Sequence, residues 1–174
     1  LVSAVRADTV SAIPQAIHRA IATIRCDRPR PAYVEIPCDV LATRGDTEPG
    51  SPLSVEKPSG NPATIEAAAR LLERAERPLI FSGLGTLRSD ASTELCQVAE
   101  ALQCPVITTA NGKGSLPEDN PLALGAGVGR NPVLTDALAE ADVVLAVGTS
   151  FDGWSMQGWT LKIPGRIIRI DIAA

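Results

Sequence analysis

The sequence is poor in aromatic residues: two Trp, two Phe and one Tyr make up 3% of its 174 residues. Its core must be built mainly from Ala, Val, Ile and Leu, a palette that suits buried parallel strands. Histidine is nearly absent. With His18 the single histidine, a Ser-His-Asp or Cys-His mechanism runs through that residue or not at all, and a zinc site lacks its usual His partners. His18 lies in SAIPQAIHRAIATI and reads as a solvated helix-face residue. No C-x-x-C pair occurs, so Cys26, Cys38, Cys96 and Cys104 are expected to be free thiols packed as small hydrophobes. The net charge of −4 and the lack of a basic cluster argue against a nucleic-acid footprint. No apolar stretch approaches the ~20 residues that cross a bilayer, and LVSAVRADTV has neither the charged start nor the apolar run of a secretory signal. No membrane partner and a cytoplasmic location are the expectation.

What is present is an ordinary globular composition, 45% hydrophobic and 21% charged, in a chain long enough for one domain and part of another at ~100–200 residues each. Ser11, Ile13, Ile17, Ala20, Ile21 and Ile24 recur at steps of three or four and predict a helix over residues 11–25. Residues 32–36 (AYVEI) then form a short β-rich run closed by Pro37. One helix and one strand cannot bury both of their faces, and the chain opens without Met, so this piece reads as the end of a longer polypeptide. Residues 41–62 are rich in Pro and Gly without periodicity and read as a linker.

After the linker, helical and apolar runs alternate. Helices are predicted over residues 62–75, 89–102 (capped by Ser89 or Asp90) and 132–141, and strands over 78–82, 105–109, 142–148 and 166–172. Four apolar, non-alternating strands separated by helices predict an α/β fold: a Rossmann-like, doubly wound, mainly parallel sheet with helices on both faces. Ligands of such sheets lie beyond the carboxyl ends of the strands. The loops there are equivocal. Gly83-Leu84-Gly85 opens like a dinucleotide fingerprint, but Arg88 stands where a small residue is needed and the next strand ends without a ribose-binding acid. Asn111-Gly112-Lys113-Gly114 lacks the first glycine of a phosphate loop. Asp152, Asp171 and Glu118-Asp119 suit turns and caps better than a metal cluster.

The order of segments resembles a known family. RPRPAYVEIPCDVL, ERPLIFSGLGT, PVITTANGKGSLPEDNPLALG, ADVVLAVGTSFD and IIRIDI are similar, in that order, to the thiamine diphosphate-dependent enzymes of the acetolactate synthase, benzoylformate decarboxylase and pyruvate decarboxylase type. The resemblance implies that residues 1–42 close an N-terminal pyrimidine-binding domain, 43–62 link, and 63–174 form a central domain. It implies thiamine diphosphate and Mg²⁺ as cofactors of the whole enzyme, held by other domains: the family's catalytic glutamate would lie upstream of Leu1 and its metal motif downstream of Ala174. No residue here is then catalytic or metal-binding, and the fragment alone is expected to be inert. Partners are the remaining domains and a second or further copies, as homodimer or homotetramer.

Central domains of this family either bind a nucleotide, FAD or ADP, or serve as scaffold and subunit contact. Carried over by position, candidate nucleotide contacts are Gly83, Gly85, Thr109, Asn111, Gly125, Gly127, Gly148, Ser150, Phe151, Asp152 and Asp171. Flavin-binding members carry Ala-Arg-Phe-Asp-Asp-Arg where this chain has Thr149-Ser150-Phe151-Asp152-Gly153-Trp154. Both arginines, which stack on rings and fork onto phosphates, are replaced, so an empty site is expected. Trp154 and Trp159 could cover a ligand, but anchoring a loop or meeting a neighbouring domain suits them better. An independent NAD-dependent enzyme on the same fold, such as a deacetylase, would need a catalytic histidine near the ligand loops, and His18 lies far upstream of them.

Overall fold

A computed structural model describes residues 3–51 except 27, residue 54, and residues 58–172 except 164. The side chain of Cys26 and part of the expected linker lie outside the described residues. The chain divides into two compact units, Leu1–Ser59 and Gly60–Ile172.

In the first unit, strand β1 (Ser3–Arg6) pairs in parallel with β2 (Ala32–Glu35), and helix α1 (Ile13–Cys26) connects them. The expected helix is present, and β1 is a strand that the sequence does not announce. Its four residues, SAVR, are too few to display a period. Ala16 and Ala20 form the buried stripe of α1, whereas Ile17 and Ile21 are exposed. A short helix α2 (Cys38–Ala42) follows Pro37 and leaves Cys38 exposed rather than packed.

The second unit holds a five-stranded sheet, every adjacent pair parallel. Its elements are helix α3 (Pro62–Glu73), strand β3 (Pro78–Ser82), helices α4 (Leu84–Arg88) and α5 (Ser92–Leu102), and strands β4 (Val106–Thr108) and β5 (Ala123–Ala126). Helix α6 (Pro132–Glu140) and strands β6 (Val143–Val147) and β7 (Arg166–Ile170) complete it. The spatial order β5-β4-β3-β6-β7 places β3 and β6 side by side. From β3 the chain winds first to one edge and then, from β6, to the other, which is the doubly wound pattern.

Alternate residues of the central strands feed two cores, as the period of two requires. Ile80, Val106, Val143 and Leu145 pack with Leu72 of α3 and with Leu95 and Ala99 of α5. Leu79, Phe81, Ile107 and Val144 pack on the other face with Leu134 and Leu138 of α6. Both faces are covered, which explains why these strands read as continuous apolar runs. Cys104 lies in the first core, where burial pushes its thiol up to about 11.

Three features differ from the sequence expectation. The segment 83–91, expected as a turn and a cap, contains α4. Helix α5 begins after Ala91 with no side-chain cap, because Asp90 takes a left-handed φ of 58° in the junction between the two helices. β5 is hidden in a Gly- and Pro-rich stretch: its residues, ALGA, include no β-branched or aromatic side chain, and pairing with β4 makes it a strand. The caps of α3 and α6 are conventional: the side chains of Asn61 and Asn131 accept from the amides of Ala63 and Val133, each with Pro in the first turn.

Asp142 ties the base of the sheet together. Its carboxylate accepts from the amides of Glu76, at 2.8 Å, and Arg77, at 3.0 Å, just before β3. The Glu76 amide is the main reason that this carboxyl titrates below its ordinary range, with partial desolvation opposing it. A carboxyl depressed by folding contributes stability that is present above its unfolded value, about 3.9, and is lost as pH falls through the folded value. Asp142→Asn is therefore expected to lower stability at neutral pH and to flatten its decline below about pH 4. Urea midpoints measured across that range check both effects.

Candidate functional site

The crest above β3, β4 and β6 is where the topology would place a ligand. It is packed unusually tightly. A Cβ on Gly85 would lie 2.5 Å from Gly148 Cα, one on Gly112 would lie 2.6 Å from the Ser82 carbonyl oxygen, and one on Gly83 would run into the Gly148 carbonyl and lie 2.8 Å from Thr149 Cα. The loops after three neighbouring strands thus meet main chain to main chain. Hydrogen bonds fix the contact. The Gly83 amide donates to the Val147 carbonyl at 2.8 Å, Gly85 to Gly148 at 2.9 Å, Thr109 to Ser82 at 2.8 Å, and Gly148 to Ile170 at 2.8 Å.

Beneath the crest lies a fully buried group of hydroxyls. Ser82 Oγ is 3.0 Å from Thr86 Oγ1 and 2.8 Å from Ser115 Oγ, and Thr86 donates to the Val147 carbonyl at 3.4 Å. The group joins the end of β3, helix α4 and the turn after Gly114. Ser82→Ala would leave the Ser115 hydroxyl without its partner and is expected to cost about 1–3 kcal/mol. Adding Ser115→Ala should cost less than the sum of the two single changes, a coupling that a double-mutant cycle in urea measures.

The open space lies to one side, beyond the ends of β4 and β5. There a cavity of about 250 Å³ is floored by Phe81 and Val128, edged by Thr108, Thr109 and Gly127, and closed by Arg130, Trp154 and Ser155. The Arg130 guanidinium stands 4.7 Å from the centre of the Trp154 ring, and the ring is 72% exposed. Phe151 packs on Phe81 with ring centres 5.9 Å apart. Asp152 organises the loop that carries Trp154: its carboxylate accepts from the amides of Trp154 and Ser155 and from the Ser155 hydroxyl. These bonds, led by the Ser155 amide, hold its carboxyl below the usual range.

The eleven positions expected from the sequence separate accordingly. Thr109 and Gly127 edge the cavity. Gly83, Gly85 and Gly148 form the crest. Gly125 lies in β5, where its carbonyl accepts from Thr108 Oγ1, and Asn111 sits in the short turn capped by the Thr109 side chain. Ser150 and Phe151 follow Gly148 on the next loop, where the Phe151 amide donates to Thr149 Oγ1. Asp152 serves as a loop cap. Asp171 lies beyond β7, its side chain 11% exposed and 3.7 Å from the Arg169 guanidinium. Sequence reasoning passed over Phe81 and Arg130. Arg130 carried a signal, a cation directly after a Gly-rich turn, and it stands over Trp154. Among the described residues, no group of three or more His, Cys, Asp or Glu side chains could hold a metal ion, and no helix is long and apolar enough to cross a membrane.

Comparison with known proteins agrees with this architecture. The family model described as "Thiamine pyrophosphate enzyme, central domain" matches residues 65–174. The chain is 38% identical over 169 residues to the "Probable acetolactate synthase large subunit" of Methanocaldococcus jannaschii, covering 92% of this chain and 29% of that protein. It is 37% identical over 162 residues to a "Probable 2-ketoarginine decarboxylase" of Pseudomonas aeruginosa, covering 92% and 28%. To the "Glyoxylate carboligase" of Escherichia coli O157:H7 it is 34% identical over 165 residues, again covering 92% and 28%. The chain thus spans under a third of the length of these relatives. It belongs to the thiamine pyrophosphate enzymes, and residues 65–174 are a central domain of that family.

Proposed function

We propose that this chain is the structural middle of a thiamine diphosphate- and Mg²⁺-dependent carboligase or 2-oxo-acid decarboxylase. Residues 1–42 would end its pyrimidine-binding domain, 43–62 would link, and 63–174 would carry no catalytic group. The observation that carries this reading is the state of the crest: the loops that would present reactive groups are tied to one another by main-chain hydrogen bonds and cap their own turns. Further support comes from the relatives, whose names are those of synthases, carboligases and decarboxylases. A dimer or tetramer of the full-length protein and a cytoplasmic location complete the proposal; Cys38, Cys96 and Cys104 are free thiols, as a reducing compartment would keep them.

The test is turnover. The full-length protein supplied with thiamine diphosphate and Mg²⁺ should release CO₂ from, or join, small 2-oxo acids such as pyruvate or glyoxylate. Residues 1–174 alone should do neither. Turnover by the isolated chain would refute the assignment of a non-catalytic role.

A further inference from the structure

The crest contact bears on the nucleotide that this family's central domains can hold. We propose that in this chain the dinucleotide place of the fold is closed by the protein's own main chain, so that neither FAD nor ADP fills it. This rests on the family function proposed above and deepens it. The relevant question is which groups remain to receive a pyrophosphate and a ribose.

Five of the amides expected to receive a pyrophosphate are committed within the protein. The amides of Gly83, Gly85, Thr109 and Gly148 donate to carbonyls of neighbouring strands or loops, and that of Phe151 donates to the Thr149 hydroxyl. Helix α4, whose first turn would face the phosphates, is five residues long and offers little macrodipole. The acceptors expected for a ribose are committed too. Asp152 holds three donors of its own loop, and Asp171 is mostly buried beside Arg169.

Shape points the same way. The contacts between Gly83, Gly85, Gly112 and Gly148 join main-chain atoms, so no change of side-chain rotamer opens them. The adjoining cavity, about 250 Å³, is below the roughly 300–1,000 Å³ typical of pockets that enclose a drug-sized ligand, and FAD exceeds that size. Arg130, the cation at its rim, lies over the Trp154 ring.

The experiment uses the full-length protein and three probes in parallel equilibrium dialysis: FAD, ADP, and thiamine diphosphate with Mg²⁺. The expected result is less than about 0.1 FAD or ADP per chain at about 1 mM nucleotide, a melting shift below about 1 °C with either, and no flavin absorbance in the purified protein. Stoichiometric FAD or ADP, or a dissociation constant for either in the micromolar range, overturns the proposal. Thiamine diphosphate separates the two readings. Failure to bind it would sink the family function proposed above, whereas the FAD and ADP results alone decide the closure. Trp154→Ala supplies the second test, since it removes the ring over the cavity and leaves the glycine contacts intact. It should still bind neither nucleotide, and a gain of binding would show that the ring, and not the crest, is the barrier.

Discussion

Gly148→Ala is expected to destabilise the second unit by about 2–5 kcal/mol, the sum of two separate effects. Gly148 adopts φ +58°, where an L side chain costs about 1–2 kcal/mol. Its new Cβ would also lie 2.5 Å from Gly85 Cα and 2.5 Å from the Thr86 nitrogen. Both are main-chain atoms of helix α4, so the strain cannot be relieved by rotating a side chain, and overpacking of this kind costs about 1–3 kcal/mol or more. Gly114→Ala is the control. Gly114 has φ +90° but nothing within 4 Å of the place a Cβ would take, so only the backbone part applies and the loss should stay near 1–2 kcal/mol. For a unit of this size the first change should lower the melting temperature by on the order of 15 °C and the second by about 5 °C. Equal losses from the two variants would mean that the crest loops move apart freely, and the account of a sealed crest would fail with them.

The same glycines mark the limit of what the sequence made legible. Strands β3, β4 and β6 could be read from PLIFS, VIT and VVLAV because burial on both faces removes the alternation of a half-exposed strand. Helix α6 could be read because Pro132 and its apolar spacing agree with each other. β5 and α4 could not, since Ala-Leu-Gly-Ala and Leu-Gly-Thr-Leu-Arg have weak preferences of their own and take their conformation from neighbours. Gly83 and Gly85 were recognisable as the opening of a dinucleotide fingerprint, but a ligand and an adjacent loop both call for glycine there, and only the three-dimensional pairing of β3 with β6 identifies the loop as the neighbour. Phe81 went unrecognised as part of the cavity for a related reason: it is a core residue of a buried strand, and nothing in PLIFS says that one edge of its ring borders open space.

Phe81→Ala should produce a loss of about 3–5 kcal/mol, with a consequence that reaches beyond the core. The ring is 1% exposed and packs among Leu79, Ile107, Leu134 and Val144 while also meeting Phe151. Removing it forfeits the transfer of a large apolar side chain and leaves a void that opens directly into the cavity beside it, so water enters in place of the partial collapse a sealed core allows. The loop above it is the sensitive part. Phe151, Gln157 and Trp159 all hold left-handed φ angles, of 48°, 48° and 62°, at about 1–2 kcal/mol each for non-glycine residues. Against this combined strain stand the packing of Phe151 and Met156 on the second core and the bond from Trp159 Nε1 to the Phe151 carbonyl at 3.2 Å. Without the Phe81 ring the strain is no longer balanced. The loop of residues 149–161 should then open before the sheet unfolds, appearing as changed fluorescence of Trp154 and Trp159 and as faster proteolysis there at urea concentrations that leave the far-ultraviolet circular dichroism intact. Phe81→Leu keeps most of the volume, should lose about 1–1.5 kcal/mol, and should leave the loop closed. A Phe81→Ala protein whose loop melts only together with the sheet would show that the left-handed residues are held by the loop's own hydrogen bonds, with the core beneath contributing stability but not conformation.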